Sequence, residues 1–367
     1  MKKTIVVFSN PFGYGPTGNA IPILESLFKK TKDIDIIFAG SGLCMEIASG
    51  LPVKRVLLDE RDEEQIEVFL KSLDNPFVIG SQNRFCIKVA KRLGIPCSFV
   101  DILAWFWKEI PQDHLLADEI FWINFPSIEN KIPKNQNNIH VVSGIINTLE
   151  HSTKEAGRLM IHIGGAKYPY SNDVPSAYLN LMAKGLNEAG EGLDSIIFAS
   201  GMDAISYLKQ SVFNKKALLI SLPKDKFIQE LGRSEHVMTT AGVSSTLESF
   251  SLDIPTSFLL PLNLSQVALA DILSERGCFD SCLKWEDYVD VDKDLRDMTE
   301  KDAISEINRY AEIIDKDEKL SRKFVKDFVG MTKTIPDRSE QTKLIKSIGE
   351  SGADEIVEIL TQKWSLS

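Results

Sequence analysis

Histidine and cysteine are both scarce in this 367-residue chain, five of each, and each scarcity excludes something. Five cysteines (Cys44, Cys86, Cys97, Cys278, Cys282) are an odd number, which predicts free thiols in a reducing compartment rather than a disulfide framework. Only Cys278 and Cys282 lie close together, and no second pair or histidine cluster completes a zinc site around them. Lysine and arginine never cluster, and the net charge is −10, which argues against a nucleic acid or an anionic membrane as partner. No apolar run approaches the length of a membrane span. The opening run, Met1 to Phe8, is broken at once by Ser9, Asn10, Pro11 and Gly13; it is too short for a secretion signal and reads as a first strand. The expectation is a cytoplasmic protein that does not insert into a membrane.

What is present is alternation. Apolar content of 43% and charged content of 26% are those of a globular chain long enough for two domains. Short apolar runs alternate with amphipathic helical patterns, the signature of parallel α/β architecture. Strands are expected at Thr4–Ser9, Asp35–Ala39, Val53–Leu57, Phe77–Gly80, Cys97–Val100, Glu119–Trp122 and His140–Val142. Helices fall near Asn19–Lys30, Leu43–Ser49, Asp62–Leu73 and Asn83–Leu93. After a polar stretch from Asn147 to Gly157 the pattern starts again, with strands at Leu159–Ile163, Ser195–Ala199, Ala217–Ser221, Glu235–Thr239 and Thr256–Leu260. The predicted boundary lies near Glu150, giving domains 1–150 and 151–345. A final helix over 346–367 either crosses back to the first domain or finishes the second.

The richest segment runs from His236 through Thr239-Thr240-Ala241-Gly242-Val243-Ser244-Ser245-Thr246-Leu247-Glu248 to Pro261 and Gln266. A strand stops, small hydroxyl residues open a helix, and a second strand follows. The first N–H groups of such a helix lack intrahelical partners and sit at the positive end of its dipole, so they suit a phosphate. Glu248, one turn in, can reach a ribose diol, and Gln266, beyond the next strand, can reach a sugar. Ser245 and Glu248 also fit a capping box, which satisfies its own donors and needs no ligand.

The helix carrying Ser244, Ser245, Thr246 and Glu248, followed by Pro261 and Gln266, resembles the nucleotide-sugar motif of GT-B glycosyltransferases. That resemblance implies two Rossmann-like parallel-sheet domains facing a cleft, with the donor held by the second domain. It extends to Gly164-Gly165-Ala166-Lys167, the glycine turn that such enzymes place toward the donor with Lys167 near a phosphate, and to Ser221-Leu222-Pro223 at the nucleobase position.

Gly13-Tyr14-Gly15-Pro16-Thr17-Gly18 matches the dinucleotide fingerprint G-x-G-x-x-G letter for letter. That mechanism also needs a carboxylate at the end of the second strand to hold a ribose. The strand ends Phe38-Ala39-Gly40-Ser41 instead, which leaves an NAD-dependent dehydrogenase as a distant alternative. The glycines let the backbone approach an acceptor, with Gly13, Tyr14 and Gly15 as the acceptor-side residues, or else the donor's phosphates across a cleft. GT-B enzymes often carry a basic histidine in this loop; here Tyr14 stands and no histidine does.

Inverting transfer needs a base for the acceptor's proton. Asp101, after the strand Cys97–Val100, stands at the carboxyl edge where parallel sheets bind ligands. Trp105-Phe106-Trp107 follow it, and Trp105 is read as a wall for a flat acceptor. Asp118, His162 and Tyr14 are weaker alternatives, and His162 inside a strand reads as a core histidine. Asp290-Val-Asp292-Lys-Asp294 contains overlapping D-x-D triplets, but they fall in a polar acidic stretch outside the donor motif, so no metal and no cofactor beyond the donor is expected.

Phe12 to Gly18 and Val100 to Trp107 are also similar to segments of cytosylglucuronate synthases, which transfer glucuronate from UDP-glucuronate to cytosine. The expected function is therefore inverting, metal-independent transfer from a UDP-sugar or other NDP-sugar to a small acceptor, a cytosine-like base among the candidates. The alternative is a non-hydrolysing sugar-nucleotide epimerase or hydrolase of the same fold. Small molecules are the expected partners; the oligomeric state stays open, a homodimer included.

Overall fold

The computed structural model describes residues 3–31, 34–126, 128–147, 152–167, 173–279, 281–291 and 294–364. The chain divides into two compact units, Met1–Asn147 with Ile345–Ser367, and Thr148–Leu344.

In the first unit the order is β1 (Lys3–Ser9), α1 (Gly15–Lys30), β2 (Ile34–Gly40), α2 (Gly42–Ile47), β3 (Lys54–Leu57), α3 (Glu63–Lys71), β4 (Pro76–Ser81), α4 (Arg84–Leu93), β5 (Cys97–Asp101), β6 (Glu119–Ile123) and β7 (Ile139–Val142). They form one seven-stranded sheet in the order β3-β2-β1-β4-β5-β6-β7. Every pairing is parallel. The central strands are apolar almost throughout because helices cover both faces: Ile5, Val6, Val7 and Phe8 of β1 and Phe77, Val78 and Ile79 of β4 are buried. Strand order reverses between β1 and β4, so the loop after β1 opens at the topological switch point, where such sheets bind ligands.

Helix α1 begins four residues earlier than its periodicity suggests. Gly15 to Gly18 are its first turn, with Pro16 at a starting position where proline's missing N–H costs nothing. The segment that matches the dinucleotide fingerprint is thus mostly helix, preceded by Gly13 at φ +65°.

The second unit contains β8 (Arg158–His162), α5 (Ser176–Glu188), β9 (Ser195–Ala199), α6 (Met202–Leu208), β10 (Ala217–Ile220), α7 (Lys224–Arg233), β11 (His236–Thr239), α8 (Val243–Ser251), β12 (Thr256–Phe258), α9 (Leu264–Glu275), α10 (Glu300–Lys316) and α11 (Glu318–Thr332). Its five strands are parallel in the order β10-β9-β8-β11-β12. The switch point here lies between β8 and β11.

Helix α12 (Ser339–Ile348) leads to α13 (Gly352–Trp364), which packs on α1 of the first unit. Ser26 donates to Asp354 at 2.5 Å, Lys30 pairs with Glu358 at 2.8 Å, and the Phe77 and Trp364 rings lie 5.5 Å apart. Gly352 must be glycine, since a Cβ there would stand 2.0 Å from the Ser143 carbonyl oxygen. Among the described residues no helix is long and apolar enough to cross a membrane.

Candidate functional site

The two donor elements read from the second half of the chain meet at the switch point of its sheet. His162, last in β8, is in register with Thr239, last in β11, and the Thr240 N–H donates to the His162 carbonyl at 3.2 Å. The turn Gly164-Gly165 therefore emerges beside Thr240-Ala241-Gly242. Gly164 at φ +65° and Ala166 at φ +46° form that turn, and Gly201 presses on it: a Cβ on Gly201 would lie 2.3 Å from the Gly165 carbonyl oxygen. Ser200 Oγ donates to the Gly164 carbonyl at 2.8 Å. Lys167 reaches outward to Asp203 at 2.8 Å.

Helix α8 starts at Val243 with Gly242 as its N-cap, and glycine has no side-chain oxygen to offer the first-turn N–H groups. Ser245 is thus the third helical residue, and its hydroxyl donates back to the Gly242 carbonyl at 3.2 Å. The capping-box reading of Ser245 and Glu248 is corrected: Glu248 lies too far along the helix and is engaged elsewhere. Lys224 Nζ, at the first position of α7, stands 2.7 Å from Glu248, with only 7% and 1% of the two side chains exposed. Thr246 is buried as well, its hydroxyl without a hydrogen-bond partner among the described residues.

Phe227 collects the rest. The Lys224 ammonium lies 5.1 Å from its ring centroid and the His162 ring 4.5 Å. His162 Nδ1 stands 3.1 Å from the Ala199 carbonyl and so carries the proton. Burial pushes the imidazole down to about 4, the Ala199 bond opposes that, and the Lys224 charge adds to it. Leu222 is half-buried against the Phe227 and Ile228 cluster. Gln266 sits in the first turn of α9, its Oε1 accepting from the Leu262 N–H at 2.7 Å, so its amide group stands at the carboxyl edge of β12.

In the first unit Asp101 ends β5 and is 1% exposed. Its Oδ1 accepts from the Leu103 N–H at 2.9 Å; its Oδ2 accepts from Trp107 Nε1 at 3.1 Å and lies 2.9 Å from His114 Nδ1. The His114 ring is held by Phe99 at 4.9 Å and by Trp107, edge-on, at 5.4 Å. Trp105 does not face outward as expected. It is 6% exposed, its Nε1 donates to the Ile102 carbonyl at 2.8 Å, and its ring lies 4.7 Å from Phe125. The half-buried aromatics of this turn are Phe106 and Trp107. Lys131, its ammonium destabilised by burial, donates to the carbonyls of Trp105 and Trp107 at 2.6 and 2.5 Å and pins the turn.

Tyr14 donates to Glu46 of α2 at 2.5 Å, tying the Gly13–Gly15 segment to α2. Asp118 is at the opposite, amino edge of the sheet, bonded to Lys91 at 2.5 Å and to the Cys97 N–H at 2.9 Å, and drops out as a base. Sequence reasoning missed Glu60. It enters from beyond β3 to lie over Gly40 at the end of β2, fully buried, with Oε2 lacking a hydrogen-bond partner among the described residues and its carboxyl pushed up by burial. It also missed Lys224 and His114; a lysine straight after Pro223, and a histidine in the long connection after Asp101, were the available signals. Of the D-x-D triplets, Asp292 lies outside the described residues and Asp294 pairs with Arg296 at 2.7 Å. Among the described residues no three His, Cys, Asp or Glu side chains converge as metal ligands.

No protein-family model and no curated protein matches the sequence. Solved structures match over nearly its whole length. S. aureus MnaA bound to UDP is 15% identical with a TM-score of 0.58, over 100% of this chain and 98% of that one. A protein described as a UDP-N-acetylglucosamine 2-epimerase from Listeria monocytogenes is 12% identical with a TM-score of 0.56, over 100% and 97%. The spinosyn rhamnosyltransferase SpnG is 13% identical with a TM-score of 0.54, over 98% and 100%. The fold of the chain is GT-B.

Proposed function

We propose that the chain is a metal-independent, inverting glycosyltransferase that takes a sugar from a UDP-sugar. The observation that carries this reading is the convergence of the Gly164-Gly165 turn and the Gly242–Glu248 helix start at one switch point. In this reading the first N–H groups of α8, with Ser244, Ser245 and Thr246, receive the diphosphate. Glu248 takes the ribose diol, Leu222 borders the nucleobase, Lys167 meets a phosphate, and Gln266 presents its amide to the sugar. Gly13, Tyr14 and Gly15 approach the acceptor. Phe106 and Trp107 replace the buried Trp105 as the flat wall, which suits a cytosine-like acceptor with UDP-glucuronate as donor.

The epimerase neighbour supports a second reading, in which the same donor pocket isomerises or hydrolyses a UDP-sugar without an acceptor. A thermal-shift series with UDP comes first: a ligand at a hundred times its dissociation constant stabilises by about 2.7 kcal/mol. UDP-glucuronate, UDP-glucose and UDP-N-acetylglucosamine are then incubated with the full chain, with and without cytosine, and read by mass spectrometry. A sugar conjugate appearing with UDP supports transfer. A free or isomerised sugar from donor alone supports the epimerase. Absence of UDP binding overturns both.

A further inference from the structure

We infer that the first unit carries a binding site of its own at the ends of β1 and β2, where the Glu60 carboxyl takes the vicinal diol of an uncharged sugar ring. The site stands apart from the donor reading: its residues all belong to the first unit, and its test needs no UDP. It starts from a carboxyl oxygen left over. The other buried carboxylates are fully engaged, since both oxygens of Asp101, Glu119 and Glu248 have partners. Glu60 is 0% exposed, and its Oε2 is the one buried carboxylate oxygen among the described residues without a hydrogen-bond partner. Such an atom weakens a fold unless something else meets it.

The place of this carboxyl is fixed from three directions. Cys44 Sγ lies 3.8 Å from the carbonyl oxygen of Ser9, last in β1, and 3.9 Å from Glu60 Oε1. Asn83 Nδ2 donates to the carbonyls of Ser9 at 3.3 Å and of Glu60 at 2.9 Å. A Cβ on Gly40, last in β2, would stand 3.7 Å from Oε2. The carboxyl therefore sits between the ends of β1 and β2, on the edge where parallel sheets bind ligands. The turns on either side leave room: Gly13 at φ +65° and Gly42 at φ +46° each have open space where a Cβ would go. Glu60 thus supplies, from beyond β3, the acid that the Gly13–Gly18 fingerprint lacks in β2 itself. In dinucleotide folds that acid receives a ribose hydroxyl.

The rest of a dinucleotide does not fit. Pro16 removes one of the few N–H groups that the start of α1 offers a phosphate. The Thr17 hydroxyl is taken by Ser9 at 2.7 Å. Tyr14 draws the Glu46 carboxylate to 2.5 Å from its own hydroxyl, so negative charge stands beside the same turn. A phosphate there meets repulsion, and a neutral ring does not. A diol also suits either state of the carboxyl. Burial pushes Glu60 up while its own N–H and the Ser41 hydroxyl oppose that, and a sugar hydroxyl donates to a carboxylate as readily as it accepts from a carboxylic acid. The ribose of a nucleoside and a hexose share this chemistry.

The test is calorimetry on the full chain with cytidine and methyl glucoside, each beside its 2-deoxy counterpart, and with cytidine monophosphate. One of the two diols should bind, and which one does identifies the source. Glu60→Gln should weaken that ligand about ten- to hundredfold, the loss expected when a hydrogen bond to a charged group becomes a neutral one. The 2-deoxy form should show a similar loss in the wild type and little further loss in the variant, a coupling that a merely structural carboxyl does not produce. Thermal melts confirm that the variant is folded. Affinity unchanged in Glu60→Gln, as for a nucleoside held by the second unit, overturns the site. Failure of both diols to bind at millimolar concentration also overturns it and leaves Oε2 to a buried water. Cytidine monophosphate binding more tightly than cytidine overturns the assignment to an uncharged ligand. None of these results bears on UDP binding by the second unit, which stands or falls by its own titration.

Discussion

Lys224 and Glu248 form a buried ion pair, 2.7 Å between ammonium and carboxylate, joining the start of α7 to the middle of α8. The pair changes what substitution of Glu248 means. Removing one partner of a buried pair strands the other charge, a loss of roughly 3–5 kcal/mol, whereas replacing both by apolar residues is often neutral. Glu248→Ala should therefore lower the melting temperature by many degrees as well as weaken UDP binding. The double variant Lys224→Met/Glu248→Leu should recover most of the stability and none of the affinity. Calorimetric titration with UDP on that stable double variant separates the roles. Wild-type affinity there would remove Glu248 from the ribose.

Two histidines and one glutamate set opposite pH trends. Burial pushes His162 and His236 down to about 4, so each is neutral in the folded chain. Their contribution is full above the unfolded value near 6.5 and is lost as pH falls toward 4, on the order of 3 kcal/mol each. His236→Gln, which keeps a partner for Ser257, should flatten the stability loss between pH 6.5 and 4 in chemical denaturation. Glu60 has the reverse sign. Its carboxyl is raised by burial, so the folded state favours the protonated form, and stability falls as pH rises through the folded value. Glu60→Gln should gain on wild type as pH rises and match it near pH 4. Parallel denaturation curves across that range would refute the burial argument.

The strands were legible because a parallel sheet covered on both faces needs short, continuous apolar runs, and Ile5–Phe8 and Leu159–Ile161 are such runs. The start of α8 was legible for a related reason: chain reversal at a strand end requires small residues, and Gly242 to Thr246 supply them. Side-chain direction inside irregular connections was not. Nothing periodic separates Trp105, which packs on Phe125, from Trp107, which bonds to Asp101. Nor does anything in the spacing bring His114 back to Asp101, since that return depends on Asp113 being held by α4. Glu60 escaped notice because a carboxylate was sought at the end of β2 itself, and the structure delivers one from the turn after the neighbouring strand β3. The early start of α1 at Gly15 was hidden by a glycine pattern that reads as loop.

Metal dependence offers a direct check on the electrostatics of the proposed donor site. If the N–H groups of α8 carry the diphosphate charge, turnover should survive 5–10 mM EDTA, roughly a hundredfold over trace metal, because helix-end amides supply the stabilisation. Loss of turnover that Mg²⁺ or Mn²⁺ restores would sink this assignment.

Two glycines, Gly164 in the Gly164-Gly165 turn and Gly201 packed against it, should respond differently to a single added methyl group. Gly164 has φ +65° and open space where a Cβ would go, so Gly164→Ala carries only the left-handed backbone cost of about 1 kcal/mol. Gly201 has ordinary backbone geometry, but its Cβ would stand 2.3 Å from the Gly165 carbonyl oxygen. That contact is with backbone, so the Gly164-Gly165 turn itself must move, at a cost typical of overpacking, about 1–3 kcal/mol. If this turn faces the nucleotide, Gly201→Ala should weaken UDP binding well beyond Gly164→Ala, although residue 201 is not assigned any contact with the donor. Calorimetry on both variants decides the matter. Equal affinities, with Gly201→Ala folded and merely less stable, would show that the turn does not touch UDP and would remove Gly164 and Gly165 from the donor site.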